Sequence, residues 1–132
     1  MTAVRLILLD GEFAVCRLAA DAPVPAWVGG GPLVSVTRTA SELSVVCREE
    51  AVPEGVRCER GWRCLRVAAT LDLALVGILA GLLVPLAGAG IAVFAVSTFD
   101  TDYLLTKADD LPRAADVLRR SGHEVGHGTG EA

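Results

Sequence analysis

Residues 73–99 read LALVGILAGLLVPLAGAGIAVFAVSTF, which is 27 residues without a charged side chain. A helix of about 20 apolar residues crosses a bilayer, so the length of the run alone permits a membrane span. Pro85 lies inside the run, and Gly88 and Gly90 then supply helix-stop signals. The β-branched and aromatic residues at 91–96 are typical of a strand. The run therefore predicts a helix of about sixteen residues followed by a strand, each too short to span.

The helix is expected to begin at Asp72, whose carboxylate can cap free backbone N–H groups at the positive end of the helix dipole. Its leucine, isoleucine and valine side chains do not fit on one stripe, so the helix must be covered on two faces. One face is expected to pack on a sheet. The other meets another helix or a second subunit, or else the N-terminal half of the chain folds over it, and the sequence does not separate these arrangements.

Polar residues follow the predicted strand. Residues 97–102, STFDTD, carry two carboxylates and three hydroxyls and predict a turn, after which residues 103–106 predict another strand. A second helix is expected from Leu111 to about Ser121, with a proline in its first turn, and a last strand is expected at 123–125. From Trp62 onward the order is therefore β-α-β-β-α-β. This is the arrangement of ferredoxin-like domains, an antiparallel sheet with helices on one face.

The N-terminal half is rich in strand patterns. Residues 4–9 and 12–18 flank an Asp10-Gly11 turn and predict a hairpin. Further strands are expected at 33–38, at 43–47 and on each side of Gly61 within 56–67. No long helix is expected before residue 70.

Composition excludes several classes of protein. The chain is 52% hydrophobic and 21% charged, with a net charge of −4 and a mean hydropathy of +0.50. That balance excludes a mainly disordered chain and offers no basic patch for nucleic acid. We expect an α+β protein of three parts, which are a strand-rich module at 1–60, a ferredoxin-like domain at 61–125 and a flexible tail at 126–132.

The N-terminus lacks the pattern of a signal peptide, so we expect a cytoplasmic protein with reduced thiols. The four cysteines, at 16, 47, 58 and 64, fall on the apolar positions of predicted strands and are expected to be buried. Five residues separate Cys58 from Cys64, a spacing that does not match a zinc site. His123 and His127 are expected in a solvated end, so the sequence offers no nucleophile-base pair. We expect no cofactor, no metal and no enzymatic activity.

Three stretches, 61–67, 71–80 and 89–105, resemble an ACT domain, and more narrowly the bacterial ACT proteins related to the CASTOR arginine sensors. Gly77 corresponds to the family's glycine early in the first helix, and Gly90-Ile91 to its turn into the second strand. The string STFDTDY, which begins at Ser97, is the most specific part. The resemblance covers roughly the second half of the chain. It also implies that the N-terminal segment is a second, degenerate ACT-like module.

The resemblance implies a regulatory sensor that binds an amino acid between ACT domains. The ligand carboxylate is expected at the N-terminus of the first helix, and its ammonium or guanidinium group near Asp100, Asp102 and Thr98. Backbone groups of residues 90–93 are expected at the same end of the sheet. The candidate ligand-binding residues are Asp72, Gly77, Ile78, Gly90, Ile91, Ala92, Val93, Thr98, Asp100 and Asp102. The expected partners are the amino acid and either a second copy in a homo-oligomer or a regulated protein.

These candidate residues also have structural interpretations. Asp72 is equally suited to be a helix cap only, Asp100 and Asp102 to be residues of a solvated β-turn, and Gly77 to be a packing contact. Two alternative functions stay open at this point. One is a single-span membrane protein that uses the 73–99 run, and the other is a ligand-free ACT scaffold for oligomerisation.

Overall fold

The computed structural model describes residues 2–68 and 76–128, and the chain divides into two compact units. Unit 1 comprises residues 1–10 and 63–132, and unit 2 comprises residues 11–62. The strands are β1 (Arg5–Leu8), β2 (Phe13–Leu18), β3 (Ser35–Arg38), β4 (Leu43–Arg48), β5 (Cys58–Val67), β6 (Phe94–Ser97), β7 (Asp102–Lys107) and β8 (Glu124–His127). The helices are α1 (Ile78–Gly88) and α2 (Leu111–Arg120). The fold class is α+β, as predicted.

The sheet of unit 1 has the strand order β6-β7-β5-β1-β8. β1 runs antiparallel to β5 and parallel to β8, and β6 runs antiparallel to β7. From β5 onward the chain follows the order β-α-β-β-α-β, which confirms the predicted ferredoxin-like arrangement. Both helices pack on one face of this sheet. The core on that face contains Leu6, Leu65, Val67, Leu82, Leu86, Ile91, Leu104, Ala114, Val117 and Leu118.

The N-terminal strand departs from the prediction. The hairpin expected between residues 4–9 and 12–18 is wrong, because β1 pairs with β5 and β8 whereas β2 pairs with β4 and β5. Leu6 and Ile7 point to opposite faces of the sheet, and both are buried. An apolar strand that is buried on both faces suits a position between two neighbouring strands. Residues 1–10 therefore belong to unit 1, and not to the N-terminal module where the sequence interpretation placed them.

Helix α1 begins later than predicted. It starts at Ile78, six residues after Asp72, which lies outside the described residues. Gly77 has a φ of +87°, a left-handed conformation that a right-handed helix does not include. The helix ends at Gly88, as predicted, and Gly90 with a φ of +75° then turns the chain.

The uncharged run from 73 to 99 contains a helix and then a strand, as expected. β6 begins at Phe94, three residues later than predicted, because residues 91–93 connect it to α1. In residues 2–68 and 76–128, no helix is long and apolar enough to cross a membrane. At about 1.5 Å per residue, α1 spans only about 16 Å. The single-span alternative is therefore not favoured.

The C-terminal elements follow the prediction closely. β7 and α2 lie within one residue of their expected bounds. β8 was expected to end at 125 but continues through His127, because Gly126 pairs with Ile7 and His127 with Leu8. The first two residues of the predicted tail are therefore part of the sheet.

Unit 2 contains an antiparallel sheet with the order β3-β4-β2-β5. Phe13 lies opposite Trp62 while Val15 lies opposite Glu59, so β5 carries one extra residue here, a β-bulge. Gly61 adopts a φ of +81° at this bulge. β5 therefore continues through the glycine, where two separate strands were expected. The core of this unit contains Ala14, Cys16, Leu43, Val45, Cys47 and Val52.

All four cysteines are free thiols. Cys16, Cys47 and Cys64 are buried, which confirms the prediction for these three. Cys58, at the start of β5, is only half-buried and is accessible to solvent.

Candidate functional site

Nine of the ten candidate residues are described, and they lie at two opposite ends of unit 1. At the Val67 end, β5 and β6 finish and β7 begins; this end holds Gly77, Ile78 and residues 97–102. At the Gly90 end, α1 finishes and residues 90–93 lead into β6. The three turns of α1 carry the chain about 16 Å along the sheet. The expectation that residues 90–93 share an end with the acidic turn is therefore wrong.

At the Val67 end, residues 98–101 form a tight turn that is fastened to the sheet. The backbone N–H of Thr98 donates to the carbonyl oxygen of Thr101 at 2.8 Å, and the Thr98 hydroxyl donates to the same oxygen at 3.1 Å. Thr101 is buried, and its hydroxyl donates to the carbonyl oxygen of Val67 at 2.8 Å. The Thr98 hydroxyl, predicted to contact a ligand, is thus already engaged within the turn.

The two carboxylates of this segment have different surroundings. Asp102 is half-buried and accepts a hydrogen bond from the Ser97 hydroxyl at 2.6 Å. Asp100 is exposed and has no hydrogen-bond or ion-pair partner in the part of the chain that the structure describes. Phe99 beside it is 80% exposed. Asp100 is therefore the more available anion of the pair.

The first turn of α1 also lies at the Val67 end. A helix leaves its first N–H groups without intrahelical acceptors, and here these include the amides of Ile78, Leu79 and Ala80. The N–H of Gly81 donates to the carbonyl oxygen of Gly77 at 2.8 Å. A Cβ on Gly77 would meet no atom within 4 Å. Its positive φ requires glycine there, and the packing role considered for it is not supported.

His123 is a residue that the sequence interpretation misjudged. It was expected in a solvated end, but it is buried, with 4% of its surface exposed. The backbone N–H of Val4 donates to its Nδ1 at 3.1 Å, so Nδ1 carries no hydrogen. Nε2 therefore carries the hydrogen and donates it to the carbonyl oxygen of Gly81 at 3.2 Å. The ring joins the residue before β1 to the first turn of α1, at the Val67 end.

Pro85 explains why the Gly81 carbonyl accepts this bond. In an α-helix that carbonyl would accept the N–H of residue 85, and proline has none. The four-residue spacing of Gly81 and Pro85 is visible in the sequence and marks an unpaired helical carbonyl. Nothing in the sequence identifies His123 as its donor, since 42 residues separate the two.

The Gly90 end is closed by the protein's own contacts. The N–H groups of Gly90 and Ile91 donate to the carbonyl oxygens of Ala87 and Leu86, each at 3.0 Å. Ile91 is buried in the core. Ala92 is exposed and Val93 is half-buried. The backbone N–H groups of Gly90 and Ile91 are therefore not free to meet a ligand.

A groove in unit 1 lies away from the candidate residues, and the described residues hold no metal-binding cluster. A shallow groove of about 280 Å³ is lined by Pro85, Gly88, Ala89, Val117, Arg120 and Ser121, none of them a candidate residue. In residues 2–68 and 76–128, no group of three or more His, Cys, Asp and Glu residues is arranged to hold a metal ion.

Sequence and structure comparisons place the chain among known proteins. An ACT domain family model matches residues 57–120, and a family of N-terminal domains matches residues 11–55. Protein Atu0741 from Agobacterium tumefaciens is 37% identical, has a TM-score of 0.92, and the match covers 100% of this chain and 99% of that one. No curated protein matches the sequence significantly. The ACT domain predicted from the sequence is confirmed.

Two more distant structures share the fold. One is a protein of unknown function from Vibrio cholerae, VC0802, described as a possible transport protein; the TM-score is 0.73 at 17% identity, over 90% of each chain. The other is the regulatory subunit of aspartate kinase from Thermus thermophilus in its ligand-free form, with a TM-score of 0.64 at 13% identity, over 92% of this chain and 99% of that one. At these identities the likeness concerns the fold alone.

Proposed function

This chain is an ACT-domain protein of the same family as Atu0741 from Agobacterium tumefaciens, and we propose that it is a regulatory protein that senses a free amino acid. The proposed activity is binding and not catalysis. The proposed site is the Val67 end of unit 1. In this proposal the protein acts in the cytoplasm and reports the ligand to a second copy of itself or to a separate regulated protein.

The observation that carries the proposal is the fastened turn at residues 98–101. Thr101 bonds to the Val67 carbonyl, so the turn is held at the end of β5. The Asp100 carboxylate in this turn is exposed and has no partner among the described residues. A carboxylate held in place in this way suits the ammonium or guanidinium group of an amino acid, because charge-assisted hydrogen bonds are stronger than neutral ones.

The start of α1 offers the complementary charge at the same end. The amides of its first turn and the positive end of the helix dipole favour an anion, which in an amino acid is the α-carboxylate. One end of unit 1 thus has a partner for each charge of the ligand. The proposed site comprises Gly77, Ile78, Thr98, Asp100 and Asp102. Asp72, the remaining candidate residue, lies outside the described residues. Residues 90–93 are left out because they lie at the opposite end of α1.

Arginine is the first ligand to test. The resemblance to CASTOR-type sensors suggests it, and a guanidinium group can form two parallel hydrogen bonds with one carboxylate. Asp100 is the carboxylate that we assign to this contact, because Asp102 already accepts a hydrogen bond from Ser97.

A second candidate function is a ligand-free scaffold for oligomerisation, and the surface of α1 favours it. The helix has no polar side chain, and Val84 on it is 65% exposed in the single chain. Val76, just before the helix, is 92% exposed. Exposed apolar surface of this kind suits a contact with another protein chain. In this alternative the Val67 end binds nothing and unit 1 serves only to join copies.

Thermal unfolding of the full chain with each of the twenty common amino acids separates the two functions. A ligand at 100 times its dissociation constant stabilises the folded state by roughly 2.7 kcal/mol, so the sensor shows a raised Tm with one amino acid or a small group of them. Isothermal titration calorimetry then measures the affinity of the protein for each amino acid that raises the Tm. Absence of any shift, together with a stable oligomer in sedimentation, contradicts the sensor and supports the scaffold.

A further inference from the structure

Three cysteine side chains meet on one face of the unit 2 sheet. Cys16 lies on β2, Cys47 on β4 and Cys58 at the start of β5. All three contact the same apolar core. The Cys16 thiol lies close enough to the other two for both of them to help raise its pKa. The proposed amino-acid site in unit 1 uses none of them.

The strand register favours one pair for a covalent bond. Cys16 lies directly opposite Cys58. The N–H of Arg17 donates to the carbonyl oxygen of Arg57 at 2.9 Å, so Arg17 and Arg57 form a hydrogen-bonded pair. Hydrogen-bonded and non-hydrogen-bonded pairs alternate along antiparallel strands. The next pair, Cys16 and Cys58, therefore has no backbone hydrogen bonds between its two residues. In such a pair the Cα atoms lie about 4.5 Å apart, within the range of about 4.4–6.8 Å that a disulfide requires.

Cys47 is less well placed for a bond with either partner. It lies opposite Ala14, while Val45 lies opposite Cys16. Cys16 and Cys47 are therefore diagonal neighbours, whose Cα atoms are about 7–8 Å apart and thus beyond easy reach of a disulfide. Cys47 and Cys58 have the whole of β2 between them, which is about 9.6 Å.

Exposure singles out Cys58 as the first thiol to react, and the raised pKa values of Cys16 and Cys47 disfavour reaction at those two. Cys58 is half-buried, whereas Cys16 and Cys47 are closed to solvent. Burial, helped by the two neighbouring thiols, raises the pKa of Cys16 to about 12, and burial raises the pKa of Cys47 as well. Both stay protonated at neutral pH and are poor nucleophiles toward an oxidant in solution.

We propose that Cys16 and Cys58 form a reversible cross-strand disulfide when the protein meets a hydroperoxide. Hydrogen peroxide transfers one oxygen atom to the Cys58 sulfur, which gives a sulfenic acid and one water. The Cys16 sulfur then bonds to the Cys58 sulfur, and the Cys16 proton leaves with the sulfenic hydroxyl as a second water. Two thiols thereby give two electrons and two protons to the peroxide. A dithiol reductant reverses the reaction by exchange.

Mass spectrometry of the peroxide-treated full chain tests this directly. We expect the intact mass to fall by two hydrogen atoms and a digest to contain a peptide pair that links Cys16 to Cys58. Both signals disappear after dithiothreitol. The matched controls Cys47→Ser and Cys64→Ser keep the link, whereas Cys58→Ser and Cys16→Ala lose it.

Cys58→Ser is the decisive variant, because its half-buried position tolerates a hydroxyl better than the closed position of Cys16. Circular dichroism confirms that each variant is folded before it is oxidised. A peptide pair linking Cys16 to Cys47 overturns the proposal. So does sulfinic acid on Cys58 without a link, or a folded wild-type chain that stays fully reduced under conditions that oxidise the urea-unfolded chain.

Discussion

The Nε2 atom of His123 lies 3.2 Å from the carbonyl oxygen of Gly81 and donates its hydrogen to it. This carbonyl is the one that Pro85 leaves without a helical donor, so a histidine side chain takes the place of a missing backbone bond. Nδ1 of the same ring accepts the N–H of Val4. One neutral imidazole therefore joins the segment before β1, the first turn of α1 and the start of β8.

Replacing His123 with alanine is expected to lower the free energy of unfolding by about 2–4 kcal/mol, because one buried hydrogen bond, one part-buried hydrogen bond and the volume of the ring are lost. Pro85→Ala restores an N–H that can reach the Gly81 carbonyl. We therefore expect Pro85→Ala to stabilise the His123→Ala chain more than it stabilises the wild type, by about 0.5–1.5 kcal/mol. Urea unfolding of the four chains measures this coupling.

The control for that cycle is His127→Ala, a change at the exposed histidine of β8. Pro85→Ala should have the same effect with and without His127. Equal effects of Pro85→Ala with and without His123 would show that the Gly81 carbonyl does not depend on the histidine.

Thr101→Val keeps the shape of a buried side chain but removes the hydroxyl that donates to the Val67 carbonyl. We expect the free energy of unfolding to fall by about 1–3 kcal/mol, the usual cost of leaving a buried acceptor unpaired. Amino-acid affinity should fall as well, because the turn that holds Asp100 is no longer fastened. Thr101→Ser retains the hydroxyl and should behave almost as the wild type in both measurements. A Thr101→Val chain of normal stability contradicts the role given to this bond.

Asp100→Asn removes the exposed carboxylate of the proposed site without changing its size. Affinity for the amino acid that raises the Tm should fall about tenfold, which corresponds to about 1.4 kcal/mol. Stability without ligand should change little, since the described residues offer Asp100 no partner. The matched control is Asp109→Asn, which removes the same charge from an exposed residue at the other end of the sheet. Equal affinities for the two variants would remove Asp100 from the site.

The buried thiol of Cys64 makes the free energy of unfolding depend on pH, and the sign of this dependence follows from burial. Burial raises the pKa of this thiol from 9.0 to about 12. Between these values the unfolded chain has released the proton while the folded chain still holds it, so stability is complete below pH 9 and falls as the pH rises toward 12. The slope is at most about 1.4 kcal/mol per pH unit. Urea unfolding at several alkaline pH values should show a steeper loss for the wild type than for Cys64→Ala, and parallel curves contradict the assignment.

Residue patterns predicted the C-terminal elements well, for clear physical reasons. The mainly apolar residues 103–106 follow a polar turn and mark a strand, and the proline of the first turn marks the start of α2. The start of α1 was harder to predict. Its sequence is apolar on every side, so no period indicates where the helix begins, and the left-handed φ of Gly77 decides it.

Tertiary contacts account for the remaining differences between the sequence predictions and the structure. The Asp10-Gly11 pair favours a hairpin locally, yet β1 gains more from burial between two strands of unit 1. The sequence pattern predicts residues 90–93 beside the acidic turn, whereas α1, which is about 16 Å long, separates the two. The role of His123 depends on a partner 42 residues away.

The position of β1 between β5 and β8 has a consequence for how the chain folds while it is being made. Val4 and His123 are 119 residues apart, and a ribosome adding about 5–20 residues per second needs roughly 6 to 24 s to produce both. During that time β1 has no neighbour on its β8 side. Unit 2 is formed by residues 11–62, which include only the first part of β5, and these residues are all made much earlier. The ribosome therefore completes the residues of unit 2 before those of unit 1, which lie on both sides of unit 2 in the sequence.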